Sequence, residues 1–251
     1  MDAPQAWLDE IFLSLQGEAG EAGRPHLFLR FAGCPLRCCY CDTPRSWKAG
    51  QRWERHERGG TVERPNPVPA EALLGELEAV AASHEAPLAE LTLAVTGGEP
   101  LEQTPFLLAF LPSWPGRVLL ETAGLDPERL ERLLPWVDFV SLDWKLDSTL
   151  RAGRERVAPA ECARLFAESG AAGWVKVVVC EDTPETEVLE ALTALARRTP
   201  GLRVFLQPAT PVPGGPAGPP PARLLEWTLR GLDLPLDLRV LPQLHPILGL
   251  R

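Results

Sequence analysis

Leu91-Thr92-Leu93-Ala94-Val95-Thr96-Gly97-Gly98-Glu99-Pro100, residues 91–100, is the stretch that decides the fold. Its aliphatic and β-branched start, Leu91–Val95, reads as a buried strand, and Gly97-Gly98-Glu99-Pro100 reads as a tight turn opening a helix. Adjacent glycines let the backbone approach a ligand closely, and a glutamate suits the positive end of a helix dipole. Strand, turn and helix in that order make a βα unit. Outward from it, Leu27–Phe31, Arg117–Leu120, Asp138–Asp143, Trp174–Val179, Arg203–Leu206 and Asp237–Leu241 read as further strands, with amphipathic segments between them. Asp126 followed by Pro127 is a helix start, an N-cap with proline at the first helical position, ahead of Leu130, Leu133 and Leu134. Thr183-Pro184 repeats that arrangement ahead of Val188, Leu192 and Leu195, and Pro200-Gly201 ends the helix. The alternation predicts parallel strands joined by helical crossovers, hence an α/β fold with an open or partial barrel.

Two segments depart from this pattern. Residues 45–66 are polar, contain tryptophan and read as irregular. Residues 211–221 (Pro-Val-Pro-Gly-Gly-Pro-Ala-Gly-Pro-Pro-Pro) read as a rigid surface loop. Both are too short to divide the chain, so residues 1–251 read as one domain. With 45% apolar and 24% charged residues in a length of 251, the composition is globular, and one large core is within reach. A net charge of −9 argues against a nucleic-acid partner, because gripping phosphates needs a positive excess. Met1–Gln5 has neither the basic n-region nor the apolar h-region of a secretory signal, and no apolar run reaches the ~18 residues of a membrane-spanning helix. Four of the six cysteines lie in Cys34–Cys41, a clustering that suits metal ligation in a reducing compartment. The expected setting is the cytoplasm and the expected substrate a small molecule.

Cys34-Pro35-Leu36-Arg37-Cys38-Cys39-Tyr40-Cys41 contains C-x3-C-x2-C. Thiolates are soft ligands that suit iron–sulfur clusters or zinc. A zinc site wants four ligands, commonly two C-x2-C pairs, and no fourth cysteine follows here. Three cysteines on a cubane cluster leave one iron open to bind a substrate or cofactor. The competing reading is a structural zinc with His26 or His56 as fourth ligand. Cys39 allows an alternative C-x4-C-x-C spacing, but reads better as a small packed residue. Cys162 and Cys180 read as buried structural thiols in a helix and a strand.

In a parallel α/β barrel chemistry gathers at the C-terminal ends of the strands, and here those ends are polar. Thr96 to Glu99 follow one strand, and Glu121-Thr122 follow another. Ser141, Asp143 and Lys145 share one face by alternation, opposite Val140, Leu142 and Trp144. A polar face in a helix-covered parallel sheet, where both faces are ordinarily apolar, implies a wet cavity. Gln207-Pro208 ends a further strand, and the last leads to Gln243 and His245. Taken singly each is ordinary, His245 included. Together they aim polar groups at one mouth.

The C-x3-C-x2-C with Gly97-Gly98-Glu99-Pro100 resembles the radical S-adenosylmethionine (SAM) superfamily. Phe12-Leu13-Ser14-Leu15-Gln16-Gly17-Glu18, Arg30-Phe31-Ala32-Gly33-Cys34 and Cys41-Asp42-Thr43 are similar to the 7-carboxy-7-deazaguanine synthases of queuosine biosynthesis. So are Thr96–Leu101, Glu121-Thr122-Ala123-Gly124, Gln207-Pro208 and the tail Arg239 to His245. The resemblance spans nearly the whole chain in order. Departures are Ala123 where asparagine is common, Pro246 where lysine is common, and Cys39 inside the cluster loop.

The resemblance implies a partial (β/α)6-type barrel with modified or short helices. The implied reaction converts 6-carboxy-5,6,7,8-tetrahydropterin to 7-carboxy-7-deazaguanine and ammonia, through a 5′-deoxyadenosyl radical, hydrogen abstraction at C6 and ring contraction. It further implies a [4Fe–4S] cluster on Cys34, Cys38 and Cys41, and SAM bound by Gly97, Gly98 and Glu99 with Ser141, Lys145 and Gln207. Gln16, Glu18 and His245 would bond the pterin edge, and Arg30 the substrate carboxylate. Thr43 would ligate a Mg²⁺ that orients substrate rather than activating water. A homodimer and a flavodoxin- or ferredoxin-type electron donor are also implied. Basic residues Arg45, Lys48, Arg52, Arg55, Arg58 and Arg64 outnumber Glu54, Glu57 and Glu63, which reads as a solvated surface or as a docking patch for that acidic donor. The rival functions are a glycyl-radical activase of the same superfamily and a non-catalytic zinc or iron–sulfur module.

Overall fold

The computed structural model describes residues 3–153 and 157–251. Met1 and Asp2, which open the stretch read for a secretory signal, lie outside the described residues, as do residues 154–156. In chain order the strands are β1 (Gln5–Ala6), β2 (Leu8–Leu15), β3 (Pro25–Phe31), β4 (Arg52–Glu57), β5 (Gly60–Pro65), β6 (Val68–Pro69), β7 (Thr92–Thr96), β8 (Val118–Thr122), β9 (Phe139–Asp143), β10 (Ala172–Val179), β11 (Arg203–Pro208) and β12 (Asp237–Val240). The helices are α1 (Ala70–Ser83), α2 (Thr104–Phe110), α3 (Pro127–Leu133), α4 (Pro159–Ser169), α5 (Glu185–Arg198), α6 (Pro221–Arg230) and α7 (His245–Leu248).

β1 and β6 form a small antiparallel ribbon, and the other strands form one sheet ordered β12-β11-β10-β9-β8-β7-β3-β2-β4-β5. From β3 through β7 to β12 every neighbouring pair is parallel, with α1 to α6 in the intervals. This is the expected α/β architecture. The sheet is open among the described residues, with β12 and β5 at its ends. α2 and α3 have only 7 residues each, as the short-helix expectation required. Asp126 caps α3 by accepting the Arg129 N–H at 3.1 Å. At α5 the expected cap differs: Thr183 Oγ1 accepts the Cys180 N–H at 2.8 Å instead, and the helix starts after Pro184 without a side-chain cap. No helix among the described residues is long and apolar enough to cross a membrane.

Alternation sorts the strand residues onto two faces. Leu27, Leu29, Leu93, Val95, Leu120, Val140, Val175, Val177 and Val204 point outward into the main core under the helices. Phe12, Phe28, Ala94, Leu119, Trp174 and Phe205 point inward and form a second apolar cluster, with Phe12 and Phe28 stacked at 4.8 Å. That inner cluster is a floor. Two residues further along each parallel strand the side chain is polar: Arg30, Thr96, Glu121, Lys176 and Gln207. The floor therefore carries a polar crown at the strands' C-terminal ends.

Residues 45–66, expected to be irregular, are largely regular. β4 and β5 pair as an antiparallel hairpin from Arg52↔Pro65 to Glu57↔Gly60, and β4 adds in parallel to β2. Trp53 drives this: it is 2% exposed in the main core, and its indole donates to the Pro65 carbonyl at 3.2 Å. The basic residues of the segment are not an unpaired patch. Arg45 pairs with Asp9, Glu10 and Glu54, Arg52 with Glu63, and Arg55 with Glu57 and Glu76. Arg58 pairs with Glu85 and Arg64 with Glu76. The partners missing from a local count come from β2, from α1 and from Glu85 just beyond α1. Residues 211–220 have no regular structure, and Pro221 opens α6.

Candidate active site

The crown, the loop after β3 and the C-terminal tail enclose one cavity. Cys34, Cys38, Cys41, Gly97, Gly98, Glu99, Gln16, Glu18, Arg30, Thr43, Lys145, Gln207 and His245 all line it. One expected residue does not. Ser141 Oγ accepts the Trp174 indole N–H at 2.9 Å, which commits it to the floor, one register below the crown.

The cysteine loop is strapped from several sides. Gly33 N–H donates to Ser46 O at 2.8 Å, and Cys34 N–H to Trp47 O at 3.3 Å. Arg37 N–H donates to Ala152 O, and Arg151 N–H returns to Arg37 O. The Arg37 guanidinium donates to the carbonyls of Cys34 and Leu36, both at 2.6 Å, and stacks over Trp47. Burial pushes the Cys34 thiol up to about 12 and raises Cys38 as well. Cys39 turns away from the cavity, as expected of a packed residue. Its sulfur lies 4.0 Å from Cys180 Sγ, in a cluster with Val178 and Ala209. Cys162 is buried in α4 against Gly124.

The Gly-Gly-Glu-Pro turn sits against this loop. Gly97 and Gly98 have φ of +71° and +46°, and a Cβ on Gly98 would fall 2.5 Å from Gly33 O. The glycines allow a contact between two loops. Glu99, expected to bind SAM, is 1% exposed and already receives donors. Leu101 N–H and Thr122 Oγ1 give to its Oε1 at 3.0 and 2.5 Å, and Ala123 N–H gives to its Oε2 at 2.9 Å. Burial raises its pKa despite these donors. Glu99 therefore stitches the ends of β7 and β8 together while showing one edge to the cavity.

Lys176, which sequence reasoning did not single out, is the centre of the crown. Its ammonium contacts Glu18 Oε2 and lies 3.4 Å from Asp143 Oδ2. Glu18 Oε1 also accepts from Gln243 at 2.5 Å and Gln207 at 3.2 Å. Burial alone would raise the Glu18 pKa, but Lys176 outweighs it and holds the carboxylate ionised, at about 2. Glu121 accepts from Gln16 Nε2 at 2.8 Å and Thr96 Oγ1 at 2.6 Å, and burial raises its pKa. Lys145 pairs with Asp143 at 2.9 Å and donates to the Tyr40 hydroxyl at 3.2 Å. Burial opposes its charge, but Asp143 prevails and keeps the ammonium protonated. The signal for Lys176 was present: one lysine at an inward position of Trp-Val-Lys-Val-Val-Val.

The donor set fits a cluster better than a zinc ion. Zn–S bonds of about 2.3 Å set sulfurs of one tetrahedral site about 3.8 Å apart. Among the described residues, the sulfurs of Cys34, Cys38 and Cys41 do not gather within 4.8 Å of one another. His26 is buried beside Glu21, and His56 lies on β4 beside Glu10 and Glu54. Neither lines the cavity, so the expected fourth zinc ligand is not there. Directly after Cys41, Thr43 Oγ1 donates to Asp42 Oδ1 at 3.2 Å, and His245 Nε2 lies 4.0 Å from Asp42 Oδ2. A hydroxyl and a carboxylate open to solvent are hard oxygen donors of the kind Mg²⁺ takes.

No family model matches the chain. The chain is 36% identical over 249 residues to the 7-carboxy-7-deazaguanine synthase of Methanopyrus kandleri, covering 95% of this chain and 91% of that protein. It is 32% identical over 262 residues to the enzyme of that name from Geobacter sulfurreducens, covering 99% of each. Among solved structures the fold is similar to QueE from Escherichia coli, with a TM-score of 0.59, 22% identity and 94% of both chains covered. It is also similar to a radical SAM methyltransferase from Sphaerobacter thermophilus, with a TM-score of 0.55, 17% identity, and 92% of this chain and 77% of that one covered. Whole-length identity at this level, with the cysteine loop, the Gly-Gly-Glu-Pro turn and the crown on one cavity, places the chain in the 7-carboxy-7-deazaguanine synthase family.

Proposed function

We propose that the chain converts 6-carboxy-5,6,7,8-tetrahydropterin to 7-carboxy-7-deazaguanine with release of ammonia, as a radical SAM lyase. The observation that carries this reading is the convergence of three free cysteines, the Gly97-Gly98 turn and a charged crown on one cavity, in a chain of that family. Cys34, Cys38 and Cys41 would hold a [4Fe–4S] cluster and leave one iron open. When bound, the cluster and SAM supply one-electron cleavage and hydrogen abstraction at the substrate C6.

The protein's own residues do the positioning. The Gly97-Gly98-Glu99 turn, Lys145 and Gln207 shape the SAM side of the cavity, and the Gln207 Oε1 atom is buried with no hydrogen-bond partner among the described residues. Such an atom supports a ligand donor at that point. Gln16, Glu18 and His245 face the pterin, whose amide and amino edge is rich in N–H donors suited to an ionised Glu18. The Arg30 fork suits the substrate carboxylate. Thr43 suits a Mg²⁺ completed by water and that carboxylate. The buried floor excludes water beneath the reacting ring. The reading includes a homodimer, a cytoplasmic setting and a flavodoxin- or ferredoxin-type donor. The donor rests on the cluster's need for an electron, since the basic residues of 45–66 are largely ion-paired.

The test is an anaerobic assay of the reconstituted protein with dithionite, SAM, Mg²⁺ and 6-carboxytetrahydropterin, read by mass spectrometry. 7-Carboxy-7-deazaguanine is the expected product. 5′-Deoxyadenosine without it would keep the radical SAM class and overturn the substrate. Zinc without sulfide in the purified protein would overturn both.

A further inference from the structure

β2 carries a bulge. Leu8 pairs with Phe31 and Glu10 pairs with Arg30, so one more residue stands on β2 than on β3 between these pairs. Without the extra residue Asp9 would oppose Arg30, and Glu10 would point to the helix-covered face. Bulges commonly re-aim a side chain in this way. The Asn66 side chain covers the disturbance, accepting the Leu8 N–H at 3.0 Å and donating to the Leu8 carbonyl at 2.8 Å.

The re-aimed carboxylate is 3% exposed, and its oxygens divide between partners. Oε1 accepts Arg30 Nε at 2.9 Å. Oε2 pairs with Arg45 at 2.6 Å and lies 3.2 Å from His56 Nε2 and 3.3 Å from Arg251. Burial would raise the Glu10 pKa, but Arg30 and Arg45 together hold it below the usual carboxylate range. Arg30 is fixed on two further sides. Its guanidinium lies 5.7 Å from the centre of the Phe12 ring, and its stem fills the space where a Gly97 Cβ would be, 1.8 Å from Cγ. Among the described residues only Nε is engaged in a hydrogen bond, which leaves both terminal nitrogens without a hydrogen-bond partner on a side chain that lines the cavity.

We propose that Glu10 is a positioning residue for substrate recognition: by capturing Arg30 Nε across the bulged β2–β3 pair, it turns the terminal nitrogens of Arg30 toward the carboxylate of the pterin substrate. A guanidinium offers two forks to a carboxylate, and occupying the Nε side leaves the end-on pair as the remaining one. Glu10 does not touch substrate. Its effect is confined to ligands that carry the carboxylate, which separates it from general support of the fold. This inference rests on the proposed substrate.

The experiment measures anaerobic equilibrium binding of 6-carboxytetrahydropterin, and of tetrahydropterin lacking the carboxylate, to the reconstituted holoenzyme. Glu10→Gln is expected to weaken the carboxylated ligand about tenfold, the scale of one charge-assisted hydrogen bond, and to leave the carboxyl-free ligand unchanged. Arg45 keeps Asp9 and Glu54 in that variant, so the hairpin stays attached. Arg30→Lys retains charge but has no Nε, so adding Glu10→Gln to it should have little further effect. Equal weakening of both ligands, or additive losses in the double variant, would overturn the positioning role. Wild-type enzyme that binds neither pterin would overturn the substrate as well, and is distinguishable because it fails before any substitution.

Discussion

Gly98 holds two loops together by lacking a side chain. Alanine there would have to accept φ of +46° and a Cβ 2.5 Å from Gly33 O. The left-handed conformation alone costs about 1–2 kcal/mol, and relieving the clash would part the turn from the cysteine loop. Gly98→Ala should therefore lower both thermal stability and the iron retained per chain after reconstitution. Gly23→Ala is the control, since Gly23 has φ of +85° but nothing within 4 Å; it should lower stability alone. Equal iron content in the two variants would show that the loop contact is dispensable. Gly97, Gly98 and the three cysteines were legible in the sequence because their spacing is local. Lys176 was visible only as a lysine in an aliphatic strand, and its role was not legible, since the carboxylate that explains it lies 158 residues away in the chain. Ser141 misled for the complementary reason: alternation gives its face correctly, but only the neighbouring strand reveals that Trp174 claims its hydroxyl.

At the scale of elements, the parallel strands β7 to β11 were readable because both faces of each are largely buried. β2, β4 and β5 were not. The bulge at Leu8–Glu10 breaks the period on which a strand assignment depends. The hairpin is polar because it lies at the sheet's end and its charges pair across it and with α1. Trp53 is what ties it down. Trp53→Ala should cost about 3–5 kcal/mol in urea unfolding, the usual range for emptying a buried aromatic site. A loss under about 1 kcal/mol, the size of a surface change, would mean that the hairpin rests on its ion pairs instead.

The whole molecule divides into a dry floor and a wet crown, and the floor extends to a buried histidine. His26 is fully buried on β3, with its Nε2 3.6 Å from Glu21 Oε2 and neither ring nitrogen hydrogen-bonded among the described residues. Burial depresses its pKa from 6.5 to about 4, against the pull of Glu21. Between those values the unfolded chain binds a proton that the folded chain refuses. Stability should therefore fall as pH drops from about 6.5 to about 4, by roughly 2–3 kcal/mol. Denaturant curves at pH 7 and 4.5 for wild type and His26→Leu would check this. Parallel losses in the two proteins would assign the acid sensitivity elsewhere. One feature of the same architecture governs how the chain assembles. From β7 onward the spatial order of the strands is their order in the sequence, so each of those βα units can settle on the edge left by the one before. During synthesis the growing edge is covered by the next unit to emerge. The last edge, β12, is only 4 residues long and bears Asp237 and Arg239, two devices that discourage a stray strand from continuing the sheet.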